Sequence, residues 1–185
     1  MPEGKSPGSN SRRRSERWSR PGSHPDWLAS SRNQLREGII VHTKGAESEA
    51  LQLLKKYNIE RVIVHRYSGP WHILKAVVAP GFHFTVGVEV VLSQHIQEIA
   101  AYLPAELILT ETDNPGGTES LTGNIGTPSL VKAVIGKLAE IRGTSNQAIM
   151  TMVQNNLVRL GGNDPWLARV RGSTGWTTTL LDQSP

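Results

Sequence analysis

Between residues 38 and 167 the chain alternates two patterns of apolar residues. Short runs rich in β-branched residues occur at Ile39–Val41, Arg61–Val64, Phe82–Val91 and Leu107–Thr110, as expected of strands buried in a parallel sheet. Each is followed by a segment with helical spacing. Ala46, Ala50, Leu53, Leu54 and Tyr57 fall on one helical face. Pro70 suits the first turn of a second helix, and Pro80-Gly81 closes it. Ser93 is placed to cap a third, whose apolar face is Ile96, Ile99, Ala100 and Leu103.

Two helices are predicted after the fourth run. Thr127-Pro128 opens the first, with Val131, Val134, Ile135, Leu138 and Ile141 inward and Gly143 as its stop. Ser145 caps the second, which presents Ile149, Met152, Val153, Asn156, Leu157 and Leu160. Strand–helix alternation with short connections predicts parallel strands joined by right-handed crossovers. Four such units make half a barrel or a small open sheet. The 185 residues are well short of the ~250 of a complete eight-fold barrel.

Outside this region the pattern stops. Residues 1–37 are rich in Ser, Arg, Gly and Pro and too poor in apolar area to offset ordering entropy, so a disordered basic tail is expected. Residues 168–185 carry Thr, Ser and Gly with no period, and a loose tail is expected there. Residues 1–38 hold eight Lys/Arg against four Asp/Glu; the remainder holds twelve of each, so the net charge of +4 lies in the tail. Arg12, Arg13 and Arg14 could touch nucleic acid, but a solvated tail is the simpler reading. No apolar run reaches the ~18 residues of a membrane span, and no apolar h-region marks a secretory signal, so a cytoplasmic location is expected.

The absence of cysteine excludes disulfides, iron–sulfur clusters and thiolate zinc sites. A metal would be held by histidine and carboxylate. In parallel β/α folds reactive groups collect at the carboxyl ends of strands. The first two runs end in the same triplet, Ile40-Val41-His42 and Ile63-Val64-His65, and the fourth ends Thr110-Glu111-Thr112-Asp113. A lone histidine at a strand end is usually a hydrogen-bonded group; the repeated ending makes a shared role plausible. His42, His65 and an acid could converge as imidazole and carboxylate ligands for zinc or manganese. Glu111 and Asp113, two apart on a strand, should point to the same side, roughly 6.5–7 Å apart along it. His24 lies in the tail, His72 and His95 open predicted helices, and His83 reads as structural. Gly116-Gly117 and Gly123 read as loop turns rather than a phosphate-binding motif.

Several segments, in order, resemble the TatD-like metal-dependent hydrolases: Val41-His42-Thr43-Lys44-Gly45-Ala46-Glu47, Val64-His65-Arg66-Tyr67-Ser68-Gly69-Pro70, Leu109 to Gly117, Leu121 to Gly126, and Asn156 to Leu160. The resemblance covers about residues 38–167 and looks like the C-terminal half of such an enzyme. It implies an α/β fold with about four C-terminal β/α units of a TIM-like barrel, and one or two divalent ions (zinc, magnesium or manganese). It also implies hydrolysis of ester or phosphodiester bonds, DNA among them. By resemblance His42 and His65 are metal ligands. Asp113 is both ligand and the group that takes a proton from the attacking water, and Glu111 is a second catalytic acid. Asn156 and Arg159 match the closing helix and read as structural.

The sequence also departs from the family pattern. The family's His-x-His pair and bridging Glu have no counterpart, and Arg66 stands where an aromatic residue is expected before Tyr-Ser-Gly. An impaired, truncated hydrolase is therefore expected, completed by a homo-oligomer or a complementary half-barrel chain and acting on DNA or a small phosphoester. An inactive barrel remnant and a basic-tailed nucleic-acid-binding protein are the alternatives.

Overall fold

The computed structural model describes residues 38–162, together with Arg169. The tails expected at 1–37 and 168–185 lie outside the described residues, Arg169 apart. Four short strands, β1 (Ile39–His42), β2 (Val62–His65), β3 (His83–Val86) and β4 (Ile108–Thr110), form one sheet in sequential order. All three pairings are parallel. Between β1 and β2 lies helix α1 (Glu47–Lys56), and between β2 and β3 lies α2 (Trp71–Val78). A short α3 (Glu89–Leu92) and α4 (Gln94–Tyr102) connect β3 to β4, and α5 (Gly116–Thr122), α6 (Val131–Arg142) and α7 (Asn146–Gly161) follow. Sequential parallel order with helical crossovers is how one side of a β/α barrel is built.

The outward-facing strand residues Val62, Val64, Phe84 and Val86 are almost completely buried. They meet Leu51 and Leu54 of α1, Leu74 and Val77 of α2, and Ile96 and Ile99 of α4 in one continuous core. The other face of the sheet is open at β1, where Ile40 is 65% exposed, and covered at β4, where Leu109 is buried.

Caps follow the sequence closely. The Ser93 hydroxyl accepts from Ile96 N at 3.4 Å and the Ser145 hydroxyl from Ala148 N at 3.1 Å. Gly143 ends α6 in the left-handed conformation, at φ 61°.

Several expectations are corrected. The apolar run Phe82–Val91 is not one strand: β3 stops at Val86, Gly87 follows, and Glu89–Leu92 turns helical. The alternation of Phe82, Phe84, Val86, Val88 and Val90 continues across the break, so a period of two alone does not show that the strand ends before Gly87. Pro70 is the N-cap of α2 rather than a first-turn residue. The inward face of α1 is Glu47, Leu51 and Leu54, with Ala46 exposed. Leu107 belongs to a 3-10 turn before β4. The glycines 116 and 117 begin α5 instead of forming a loop, and Gly123 closes it at φ 74°.

Candidate metal centre

Strand register decides which side chains meet. His42 pairs with His65, His65 with Thr85, and Thr85 with Leu109, so one row crosses the sheet at the strands' carboxyl ends. Glu111, two residues beyond Leu109, keeps the ladder going: its N–H donates to Val86 O at 3.1 Å. The chain then leaves the strand, and Asp113 takes a left-handed φ of 50°. Glu111 and Asp113 therefore share a side through a turn, not through strand alternation as expected from their spacing.

His65 is the centre of the cluster. Its Nε2 lies 2.8 Å from Glu111 Oε2 and 3.8 Å from Asp113 Oδ1. Its Nδ1 lies 3.3 Å from His42 Nδ1, with the two rings tilted at 62°. Burial lowers the His65 pKa, an effect that Arg66 reinforces and Asp113 partly offsets. Burial raises the pKa of Glu111, opposed mainly by the Thr85 hydroxyl beside it. Glu111 Oε1 is buried with no hydrogen-bond partner among the described residues.

Arg66 completes the cluster. Its Nη1 donates to Asp113 Oδ2 at 2.5 Å and its Nη2 lies 3.5 Å from Glu89 Oε2. Sequence reading noted Arg66 only as a departure from a family pattern; no local signal shows that a residue after β2 reaches the loop after β4.

A second support was also missed. The buried Glu47 at the start of α1 accepts from Gly45 N at 2.9 Å. A Cβ on Gly69 would come within 2.7 Å of Glu47 Cγ, so the loop after β2 rests on α1 only because position 69 is glycine. Tyr67, in the same loop, donates to Pro70 O at 2.9 Å, and burial together with Glu47 pushes its phenol up to about 12.

His72 and His95 are exposed, and His95 Nε2 lies 3.3 Å from Gly69 O. His83 is buried at the other end of β3. His24 lies outside the described residues. Asn156 donates to Ala105 O at 2.7 Å and Ile108 O at 2.8 Å, and Arg159 to Glu106 O at 3.3 Å. These contacts tie α7 to the entrance of β4, away from the cluster.

The donors match a divalent ion in kind: an imidazole whose pKa burial lowers and a carboxylate within ligand-to-ligand range. In arrangement they form a row rather than a shell. His42 meets Nδ1 of His65 while the acids meet Nε2, and one ion cannot touch both nitrogens of one ring. Among the described residues no three His, Asp or Glu side chains surround a common point. The residues thus fit such an ion at His65 and Asp113 and fall short at His42.

Parallel β/α units with a histidine–carboxylate cluster at the strands' carboxyl ends are the architecture of one side of a β/α barrel. The chain belongs to the TatD related DNase family, whose profile matches residues 30–162. It is 27% identical over 127 residues to the metal-dependent hydrolase YabD of Bacillus subtilis (strain 168), covering 66% of this chain and 50% of that protein. To human deoxyribonuclease TATDN3 it is 25% identical over 123 residues, covering 66% and 44%. The crystal structure of YJJV, a TatD homologue from Escherichia coli K12, superposes with a TM-score of 0.63 at 24% identity. The match covers 72% of this chain and 52% of that one. The chain thus spans about half the length of the curated relatives it matches.

Proposed function

We propose that this chain is the carboxyl-half unit of a divalent-metal-dependent hydrolase acting on phosphodiester bonds, with DNA or a small phosphoester as substrate. The observation that carries the reading is His65 Nε2 between the Glu111 and Asp113 carboxylates at 2.8 and 3.8 Å. That cluster stands at the strand ends where barrel enzymes keep their chemistry.

In this reading His65 and Asp113 would hold the ion, with His42 as the further imidazole ligand. When bound, such an ion polarises a phosphoryl oxygen and makes water acidic near neutral pH. Asp113, the more exposed acid, takes the proton from the attacking water. Glu111, buried against Thr85 and 2.8 Å from His65 Nε2, is the second catalytic acid, standing beside the ion. The metal is zinc, magnesium or manganese.

The unit comprises residues 38–167, with 1–37 and 168–185 as tails. Among the described residues no helix is long and apolar enough to cross a membrane; with no cysteine in the chain, we place it in the cytoplasm. His42, His65 and Asp113 supply only part of a metal shell. A second copy or a complementary half-barrel chain packed along the open β1 edge is the partner this reading calls for.

The test is cleavage of a phosphodiester such as bis(p-nitrophenyl) phosphate, and of DNA, by the purified chain with added Zn²⁺, Mg²⁺ or Mn²⁺. Weak, chelator-sensitive cleavage that disappears in Asp113→Asn is expected. Cleavage that survives Asp113→Asn would remove that residue from the proposed chemistry.

A further inference from the structure

Asp113 already has a cation. Arg66 follows His65 directly, and its backbone stands at φ 48° with its N–H donated to Thr85 Oγ1 at 3.1 Å. That backbone position aims the side chain across the strand ends toward the loop after β4. The guanidinium reaches Asp113 Oδ2 at 2.5 Å, while the other carboxylate oxygen, Oδ1, faces His65. The pair needs a glycine behind it: a Cβ on Gly117 would lie 2.7 Å from Asp113 Cβ and 3.0 Å from Arg66 Nη1.

The same guanidinium has a second carboxylate beside it, Glu89 Oε2, at 3.5 Å from Nη2. Beside the arginine stem Gly87 leaves room, since even a Cβ there would lie 3.7 Å from Arg66 Cγ. Arg66 is thus held between two carboxylates. One is a ligand in the proposed function, and the other lies outside the His65 row.

We propose that Arg66 is a built-in cation that competes with the divalent ion for Asp113, and that Glu89 receives it when the ion enters. The proposal rests on the metal reading above. An arginine keeps its charge at every accessible pH, so a divalent ion on Asp113 would stand beside a fixed positive charge. The ion would take Oδ1, on the His65 side, while the guanidinium holds Oδ2, so two positive charges would face each other across one carboxylate. Arg66 therefore sets a weak resting affinity, and its movement to Glu89 is part of loading the site.

The experiment is calorimetric titration of Mn²⁺ into the full chain and its variants, with far-UV circular dichroism to verify folding. Arg66→Gln should bind Mn²⁺ at least tenfold more tightly than the unaltered chain. Arg66→Lys, which keeps the charge, should stay within a few-fold of it. The gain should vanish in Arg66→Gln combined with Asp113→Asn. If the uncharged variants do not fold, Glu89→Gln provides the opposite sign: the guanidinium loses its second carboxylate, and Mn²⁺ should bind more weakly. Equal or weaker binding by folded Arg66→Gln overturns the competition while leaving the metal reading in place. Absence of Mn²⁺ binding in every folded variant overturns the metal reading itself, and this inference with it.

Discussion

His65 Nε2 and Glu111 Oε2 meet at 2.8 Å across the ends of two strands that are not neighbours, with β3 between them. Both groups are pushed toward their neutral forms by burial, the imidazole downward and the carboxyl upward. The same imidazole meets His42 through its other nitrogen, Nδ1 to Nδ1 at 3.3 Å, so His65 links the ends of β1, β2 and β4.

The two partners of this contact should differ in their effect on metal affinity. Glu111→Gln removes a carboxylate charge beside the ion but, in this reading, no ligand, and should weaken Zn²⁺ or Mn²⁺ binding by the roughly 10–100-fold typical of losing a supporting partner. His65→Ala removes the ligand itself and should cost more. Calorimetric titration of the two variants checks the order. A larger loss from Glu111→Gln would make the acid the ligand.

Sequence made the strand–helix order legible because burial on the outer strand faces demands β-branched runs and the helices repeat every 3.6 residues. It placed Ser93, Gly143 and Ser145 correctly for the same reason: caps are local chemistry. It failed at Phe82–Val91, where the alternation of Phe82, Phe84, Val86, Val88 and Val90 runs on past the end of β3 into α3, and at α5, whose Gly-Gly start has no apolar period. The cluster was partly legible. The repeated Ile-Val-His endings fall in register, and parallel pairing places His42 beside His65. Arg66 was not legible as part of it, because its two carboxylate partners, at the start of α3 and in the loop after β4, lie 23 and 47 residues further along the chain.

Asn156 should be among the most sensitive polar positions in the fold. It is 1% exposed, and its amide satisfies two carbonyls at the entrance of β4. Asn156→Ala leaves both without that donor and opens a small cavity, so a loss of roughly 2–4 kcal/mol is expected. The urea midpoint measures it. Asn156→Asp, which turns an acceptor toward the same carbonyls, should be worse still. A loss below about 0.5 kcal/mol, the range of ordinary surface substitutions, would contradict the buried role.

A different cycle tests the support beneath the loop after β2. Gly69→Ala sets a methyl group against the buried Glu47 side chain, an overpacking that should cost about 1–3 kcal/mol. In the Glu47→Ala background the same change meets open space and should be nearly silent. A coupling of at least 0.5 kcal/mol, in the range seen for residues in contact, is the expected result. Additive losses would show that Gly69 is needed for its backbone rather than for its missing Cβ.

The pH dependence of stability is set in part by a residue away from the cluster. His83 is buried, its Nε2 has no hydrogen-bond partner among the described residues, and burial lowers its pKa, with Arg159 adding to the effect. The unfolded chain therefore binds a proton near the ordinary value of 6.5 that the folded chain refuses. The sign follows from proton uptake on unfolding: stability is fully present above pH 6.5 and falls as the pH drops toward the lowered folded value. Each proton refused in this window contributes a slope of up to about 1.4 kcal/mol per pH unit. His65, lowered in the same direction, adds to the slope. Urea midpoints measured between pH 7.5 and 5 should decline, and His83→Leu should flatten that decline without abolishing it. An unchanged slope in His83→Leu would mean that His83 titrates alike in the folded and unfolded chain, so that its burial is relieved by a partner or by water.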